Sequence, residues 1–397
     1  KLYRESLPKL KDRQKAKVLA QLGHLYEMMG ERQQAYELYA SIINGDYSDA
    51  SKSEAHLSLA EISFKKHNFS EAIKHYDIVL AGGSNRKSLA AYRKAWSLFN
   101  LGQVSQAVDA LVHILNSPKL LTRNTTGVIS VDAQYQSEVA RDLATFMAKA
   151  GAGLEQAKLL FRLSPQDVKI PNVSYLAGEL ERLGEQKQAQ AVYRYVISKE
   201  KSPTQRLSHH IRLAQIQKDL NQVKGSLQDY QQALGIWTQL GACKEVECDE
   251  WKSRLRKYVL DWNRIEKKQP SAELIQAYTY YTEAFPNEVD MVLWRAQVHE
   301  LRKELSNALK LYQHAFSMLS SGKARQGKNN KQKLPTEESL LLSQIELAEK
   351  INKKEVLTQV YNDYLKFSQE KSKELEVRYQ LAHMQYKAEN YKAAVQS

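Results

Sequence analysis

Residues 90–111 read A-A-Y-R-K-A-W-S-L-F-N-L-G-Q-V-S-Q-A-V-D-A-L, and this stretch decides the fold. Two small residues, Ala95 and Ala107, mark where a pair of helices can approach closely, and Gly102 between them marks a tight turn. A large apolar residue, Leu111, follows one helical turn after Ala107 and fills the space beside the crossing. The stretch therefore predicts a helix, a turn and a second helix packed on the first.

The same pattern returns along the chain at intervals of about 35 residues, as expected of a helical repeat. The small residue of the first helix recurs at Gly23, Ala60, Ala95, Ala144, Ala177, Ala214, Ala296 and Ala382. The small residue of the second helix follows at Ala35, Ala72, Ala107, Ala157, Ala189, Ser226, Ala308 and Ala394. A large residue comes one turn later, at Tyr39, Tyr76, Leu111, Phe161, Tyr193, Tyr230 and Tyr312. The predicted turns carry Gly30, His67, Gly102, Gly151, Gly184 and Asn221.

This pattern resembles the tetratricopeptide repeat (TPR). In residues 22–43, L-G-H-L-Y-E-M-M-G-E-R-Q-Q-A-Y-E-L-Y-A-S-I-I, the Leu-Gly-x-x-Tyr phrase, the turn glycine, the alanine and the aromatic residue all match that family. The resemblance implies an all-α fold, a TPR-like α-solenoid forming a right-handed superhelix of about ten helix-turn-helix repeats. Some positions depart from the family pattern, because Lys94 replaces an apolar residue while Ser63 and Gln217 replace aromatic ones.

The repeat pattern divides the chain into segments. Residues 1–15 are an N-terminal segment that could belong to a preceding repeat, and residues 16–116 contain repeats one to three. Residues 117–132 interrupt the period and predict a loop insertion, either an exposed variable loop or one at the edge of the binding groove. Repeats four to eight occupy residues 133–319, with a degenerate region at 241–286 that still predicts helices near 251–266 and 272–285. Residues 320–336 predict a basic flexible loop, and residues 337–397 contain the C-terminal repeats, the last one truncated.

Composition is that of an ordinary globular chain, with 43% hydrophobic and 26% charged residues in 397. No run of about 18 apolar residues occurs, so the sequence predicts no transmembrane span. The chain starts at a lysine and stops just after Ala394, so we expect the native protein to continue at both ends. The net charge is +13. Five of the positive charges lie in the predicted basic loop: Lys323, Arg325, Lys328, Lys331 and Lys333. The loop is interpreted either as a tether that contacts a polyanion or as a solvated insertion that its charges keep soluble.

No catalytic pattern is present, and the chain is predicted to be no enzyme and to need no cofactor. H-E-x-x-H, G-x-S-x-G and the complete phosphate-loop motif G-x-x-x-x-G-K-[ST] are all missing from the sequence. The two cysteines, Cys243 and Cys248, lie in one short segment. They could form a disulfide or remain two free thiols, and the sequence does not decide between these alternatives. A metal site is disfavoured, because two ligands are too few for one. No metal site is therefore predicted.

A partner surface can be assigned from the repeat register. In TPR proteins the first helices line the concave surface, and aromatic side chains there are suited to protein contacts. The residues predicted to face a partner are Leu57, Glu61, Phe64, Leu89, Tyr92, Trp96 and Phe99. The alternative is that Trp96 packs between adjacent repeats. The Lys and Asn clamp of chaperone-binding TPR domains is absent, because its asparagine positions carry His24, Glu61 and Trp96.

Two phrases resemble a narrower group. Residues 92–102, Y-R-K-A-W-S-L-F-N-L-G, look like repeats of bacterial cell-envelope TPR proteins, and residues 138–151, E-V-A-R-D-L-A-T-F-M-A-K-A-G, are similar to those of gliding-motility systems. The resemblance implies a protein-binding scaffold in the periplasm or at the outer membrane. The alternatives are a cytoplasmic adaptor and an RNA- or polyanion-binding repeat protein, although nucleic acid is not the favoured partner. The sequence does not indicate the oligomeric state.

Overall fold

The computed structural model describes residues 11–125, 128–241, 246–325, 333–368 and 371–396. They form two compact units, of which the first ends at Lys199 and the second begins at Glu200. Each unit is built from consecutive helices that pack as neighbouring pairs.

The first unit contains five helix pairs and one small β-ribbon. Its elements are α1 (Asp12–Met28), α2 (Arg32–Asn44), α3 (Asp49–Lys65), α4 (Phe69–Ala81), α5 (Lys87–Asn100), α6 (Val104–Asn116), α7 (Pro118–Leu121), β1 (Thr122–Thr125), β2 (Val128–Val131), α8 (Ala133–Lys149), α9 (Leu154–Leu163), α10 (Lys169–Arg182) and α11 (Gln186–Lys199). The pairs are α1 with α2, α3 with α4, α5 with α6, α8 with α9, and α10 with α11. The first member of each pair is called its first helix below.

The second unit contains five further pairs. Its elements are α12 (Pro203–Asp219), α13 (Val223–Leu240), α14 (Val246–Ile265), α15 (Ala272–Ala284), α16 (Val289–Leu301), α17 (Leu305–Ser320), α18 (Glu337–Ile351), α19 (Lys354–Phe367), α20 (Lys371–Lys387) and α21 (Tyr391–Gln396). Ten helix pairs over the described residues, in phase with the repeated small residues, confirm the predicted all-α, TPR-like solenoid fold. The degenerate region also forms the two predicted helices. α15 begins at the predicted residue, and α14 begins five residues before the predicted Trp251.

The repeated small residues lie where helices of one pair meet. Ala60, Ala95 and Ala177 are fully buried on first helices. At Gly23 the approach is closest, because a Cβ atom there would lie 2.8 Å from the ring of Tyr39 on the paired helix. The small position is therefore needed because a tyrosine from the second helix packs directly over it.

The predicted turns are confirmed at all six positions. Gly30, Gly102, Gly151 and Gly184 have positive φ angles, as do His67 (φ 61°) and Asn221 (φ 58°). The left-handed conformation ends the first helix and lets the chain reverse into the second. Glycine adopts it without strain, whereas a histidine does so at a cost that the packing of the pair must offset.

The insertion at residues 117–132 is more regular than the predicted loop. A short helix, α7, leads into β1, which pairs antiparallel with β2 in a register that sets Thr122 opposite Val131. The backbone N–H of Asp132 then donates to the carbonyl of Leu121 at 2.8 Å and closes the base of the ribbon. The prediction of an irregular loop was wrong here because local pairing of two short strands satisfies backbone groups that a loop would leave to solvent.

A buried ionic cluster organises the middle of the second unit. The guanidinium of Arg256 on α14 donates to Glu288 at 2.6 Å and also to Asp290, and all three residues are at most 7% exposed. Tyr281 donates to Glu288 at 2.8 Å, and Lys252 lies 2.6 Å from its other oxygen. These bonds fix the chain where α15 ends and α16 begins, inside a core rich in aromatic side chains.

The start of the predicted basic loop is also anchored. Ser320 is the last residue of α17, and Gly322 turns the chain with a φ of +66°. The N–H of Arg325 donates to the carbonyl of Asn287 at 2.7 Å, and its own carbonyl accepts from Val289 at 3.1 Å. The expectation of a flexible loop over the whole of residues 320–336 is therefore corrected for this first part, which bridges to the turn before α16.

Candidate protein-interaction face

The first helices of the first unit are joined, each to the next, by contacts between polar or aromatic side chains. At one end Lys65 of α3 lies 3.7 Å from Glu27 of α1, and Arg93 of α5 lies 3.6 Å from Glu61 of α3. Arg93 also lies over the ring of Phe64, with 5.1 Å between its guanidinium carbon and the ring centroid. Charged and aromatic groups are thus brought together on α1, α3 and α5.

The contacts continue beyond the insertion. On α8, Asp142 accepts hydrogen bonds from Tyr92 at 2.5 Å and from Trp96 at 3.0 Å, both on α5. Arg141, the next residue on α8, stacks on the ring of Tyr175 of α10 at 3.3 Å. We call the resulting surface the first-helix face, defined by Glu27, Glu61, Phe64, Lys65, Tyr92, Arg93, Trp96, Phe99, Arg141, Asp142 and Tyr175.

The aromatic residues at the centre of this face hold α5 against α8. Phe99 stacks on Phe146 with 4.1 Å between ring centroids, and Trp96 meets the same ring edge-on at 4.9 Å. Phe146 is fully buried, whereas Trp96 and Phe99 are half-buried. Trp96 therefore packs between adjacent repeats, which is the alternative given in the sequence analysis. It also stays partly exposed at the surface.

Asp142 is the electrostatic centre of that junction. Burial raises the pKa of Asp142, while the hydrogen bonds from Tyr92 and Trp96 lower it by stabilising the carboxylate. Burial likewise raises the pKa of Tyr92, so the phenol stays protonated and remains a donor. Two donors on one carboxylate fix the side chains of α5 in single orientations.

A second recurring contact was not predicted. A tyrosine on the second helix donates to a glutamate placed twelve residues earlier, on the first helix, at distances of 2.6–3.1 Å. The pairs are Tyr39 with Glu27, Tyr193 with Glu181, Tyr312 with Glu300, and Tyr361 with Glu349. Tyr76 makes the equivalent bond to Glu61 at 2.6 Å with a different spacing. A search for glutamate twelve residues before the repeat tyrosines would have found the pairs of Tyr39, Tyr193 and Tyr312, whereas Tyr361 was not among the repeat positions identified from the sequence.

The predicted partner-binding residues fall into two groups. Leu57 is only 1% exposed and packs with Ala60, Ala72 and Tyr76, so its assignment to the surface was wrong. Its helix is packed on more than one side, and the register assigned Leu57 to the open side. The other six are half-buried: Glu61, Phe64, Leu89, Tyr92, Trp96 and Phe99. The predicted set covered only the second and third repeats, so it missed Asp142, Arg141 and Tyr175 on α8 and α10.

Lys323, Arg325 and Lys333 of the predicted polyanion site are exposed, while Lys328 and Lys331 lie outside the described residues. Cys248 is buried and disulfide-bonded. Cys243 lies outside the described residues, so its pairing with Cys248, one of the two alternatives that the sequence left open, stays a prediction. Within the described ranges, no group of three or more His, Cys, Asp or Glu residues could hold a metal ion. None of the helices described is both long enough and apolar enough to span a membrane.

The order and pairing of the helices define a TPR-like helical-repeat fold. No protein-family model matches the chain, and no curated protein matches it. Among solved structures, the chain is similar to yeast Tom70, with 13% identity over 97% of this chain and 91% of that one and a TM-score of 0.24. It is also similar to the C-terminal part of a TPR repeat-containing protein from Cytophaga hutchinsonii, with 13% identity over 81% and 98% of the two chains and a TM-score of 0.26. At these identities and TM-scores neither similarity bears on function.

Proposed function

We propose that this chain is a non-catalytic scaffold that binds a protein partner on the first-helix face, on the concave side expected of TPR repeats. The observation that carries the proposal is the chain of side-chain contacts along five successive first helices, which runs from Glu27 to Tyr175. It places half-buried aromatic rings beside charges of both signs. Aromatic and arginine side chains dominate the binding energy of protein interfaces, so this composition suits a protein partner.

The same contacts lower the cost of binding. A side chain that is already held in one rotamer loses less entropy when a partner covers it, and that loss is otherwise about 0.5–1.5 kcal/mol for each flexible side chain. Trp96 and Tyr92 are held by Asp142, and Arg93 is held between Glu61 and Phe64. The face is therefore preorganised, which favours recognition of a folded or helical partner surface.

Site-specific photo-crosslinking in cells of the source organism tests the proposal. A photoreactive phenylalanine analogue replaces Lys65 or Arg141 on the first-helix face, and Lys74 or Lys158 on second helices serves as the matched control, since all four side chains are exposed. We expect one protein to be crosslinked from both face positions and from neither control. Equal crosslinking from the second helices, or crosslinking to nucleic acid alone, would refute it.

The proposal includes a location in a bacterial cell envelope. The bonded state of Cys248 supports it, because disulfides persist mainly in oxidising compartments such as the periplasm. Because Cys248 is buried, alkylation of the protein unfolded in denaturant, before and after reduction, tests this part. Labelling only after reduction is expected, and full labelling beforehand favours a cytoplasmic adaptor.

Polyanion binding is the second candidate, carried by the exposed cations Lys323, Arg325 and Lys333 beside an anchored backbone. Binding through such contacts weakens steeply with salt. Retention on heparin that falls in a Lys323→Gln/Arg325→Gln variant would favour this candidate. Retention that is unchanged in the variant would leave only the protein-binding proposal.

A further inference from the structure

A separate groove of about 580 Å³ lies in the second unit, among α17, α18 and α19. Its walls carry three glutamine side chains, two phenylalanine rings and one carboxylate: Gln313, Gln344, Gln359, Phe316, Phe367 and Asp363. We call it the amide groove. Its size is in the range of ligand-binding clefts, and it shares no residue with the first-helix face.

Gln344 is a buried residue that lines the groove and has an unmet hydrogen-bond donor. Gln344 is only 2% exposed, and within the described residues its side-chain nitrogen has no hydrogen-bond partner. A buried amide donor without a partner is unfavourable, because burial removes its hydrogen bonds to water and nothing replaces them. Because the side chain also lines the groove, a carbonyl oxygen inserted there could accept this bond after a small rotation of the amide.

Asp363 supplies the only charge among the lining residues. Burial raises the pKa of Asp363, with Lys366 opposing the effect, so the carboxylate is poorly solvated and gains from a nearby cation. Phe316 and Phe367 meet with 5.4 Å between ring centroids, and Phe367 is 47% exposed. The groove thus offers an apolar surface beside an anionic group, and this charge favours a cationic ligand over a polyanion or an acidic lipid.

We propose that the amide groove binds an extended peptide segment of a partner protein. A backbone carbonyl of the peptide accepts from Gln344, an apolar side chain packs on Phe316 and Phe367, and a lysine or arginine pairs with Asp363. Glutamine amides on the walls suit a peptide because each can donate to a carbonyl and accept from an N–H at once. The site lies in the second unit and does not depend on the function proposed for the first.

Phage-displayed random 12-residue peptides, selected on the immobilised full chain, provide the probe. Selected peptides are synthesised with a fluorophore, and their Kd is measured by anisotropy for the wild type and for Gln344→Leu and Asp363→Asn variants. Glu355→Gln is the matched control, because Glu355 is an exposed carboxylate on the same helix as Asp363.

We expect the selected peptides to contain lysine or arginine, and their Kd to rise at least tenfold in the first two variants and less than twofold in Glu355→Gln. Gln344→Leu should not lower the unfolding temperature, since it removes an unmet donor, so its loss of binding would not come from unfolding. Recovery of no peptides, peptides without basic residues, or peptides whose Kd is unchanged in both groove variants would overturn the proposal.

Discussion

Replacement of Arg256 by methionine tests whether the buried ionic cluster holds the second unit together. Arg256 is 7% exposed, and its guanidinium bonds to both Glu288 and Asp290, which are 3% exposed. Removal of one member of a buried ion pair costs about 3–5 kcal/mol, because a charge is left without its partner in a poorly solvated site. Lys252 and Tyr281 still contact Glu288 in the variant, so we expect a loss near the lower limit, about 3 kcal/mol.

Arg254→Met is the matched control, two residues earlier on the same helix. Arg254 pairs with Glu250 at 2.5 Å, but the two side chains are 37% and 60% exposed, and such pairs contribute at most about 0.5 kcal/mol. Methionine and arginine have nearly equal helix propensities, so neither substitution changes the intrinsic stability of the α14 helix appreciably.

Urea denaturation followed by tryptophan fluorescence measures the difference. Four of the five tryptophans lie in the second unit, at Trp237, Trp251, Trp262 and Trp294, so the signal reports mainly on that unit. A loss for Arg256→Met that exceeds the control by 2 kcal/mol or more is expected. Equal losses would show that the cluster gives no net stability and would refute the reasoning.

Three further changes test other parts of the structure. Burial lowers the pKa of His209 from 6.5 to about 4. As the pH falls, the unfolded chain therefore binds a proton before the folded chain does, and the free energy of unfolding should drop by up to about 3 kcal/mol between pH 6.5 and pH 4. Denaturation curves of His209→Gln should depend less on pH over that range; an identical slope would contradict this. Tyr312→Phe removes the hydrogen bond to the carboxylate of Glu300 and should lower the free energy of unfolding by about 1 kcal/mol. The control Tyr36→Phe, at an exposed tyrosine, should leave it almost unchanged in the same denaturation experiment. Gly23→Ala should lower the unfolding free energy by about 1–2 kcal/mol because its Cβ would collide with Tyr39, and a neutral result would show that the ring moves freely.

The repeat period, the helix pairs and the six turn residues could be predicted because each depends on residues that are close in sequence. A small residue, a turn residue and a second small residue fall within one pair, so the sequence contains the whole pattern. Even in the degenerate region, α15 begins at the predicted residue, because Ser271 caps its start through a bond to the N–H of Leu274.

Other features depend on residues that are distant in sequence. Arg256 and Asp290 are separated by 34 residues, and no periodic pattern links them. The β-ribbon escaped prediction because a four-residue strand is stable only when its partner pairs with it. The error at Leu57 has another cause: α3 is buried on several sides, at Ala55, Leu57, Leu59 and Ile62, so its apolar pattern does not mark one inner face.

The site could be predicted only in part for a related reason. Aromatic residues on a first helix suit both a partner surface and the contact with the next helix, and the sequence does not separate these uses. In this chain Trp96 and Tyr92 form the contact between α5 and α8, because Asp142 on α8 accepts a hydrogen bond from each of them.

This dual use decides how mutations on the first-helix face should be interpreted. Truncation of Trp96 removes packing against Phe146 as well as any contact with a partner, so a loss of binding would mix two effects. Arg141 offers a cleaner probe, because it is exposed and stacks on Tyr175 without entering the core. If the face binds a protein, Arg141→Ala should weaken binding while leaving the unfolding free energy nearly unchanged. The combination of these two results, rather than either alone, assigns the face to recognition.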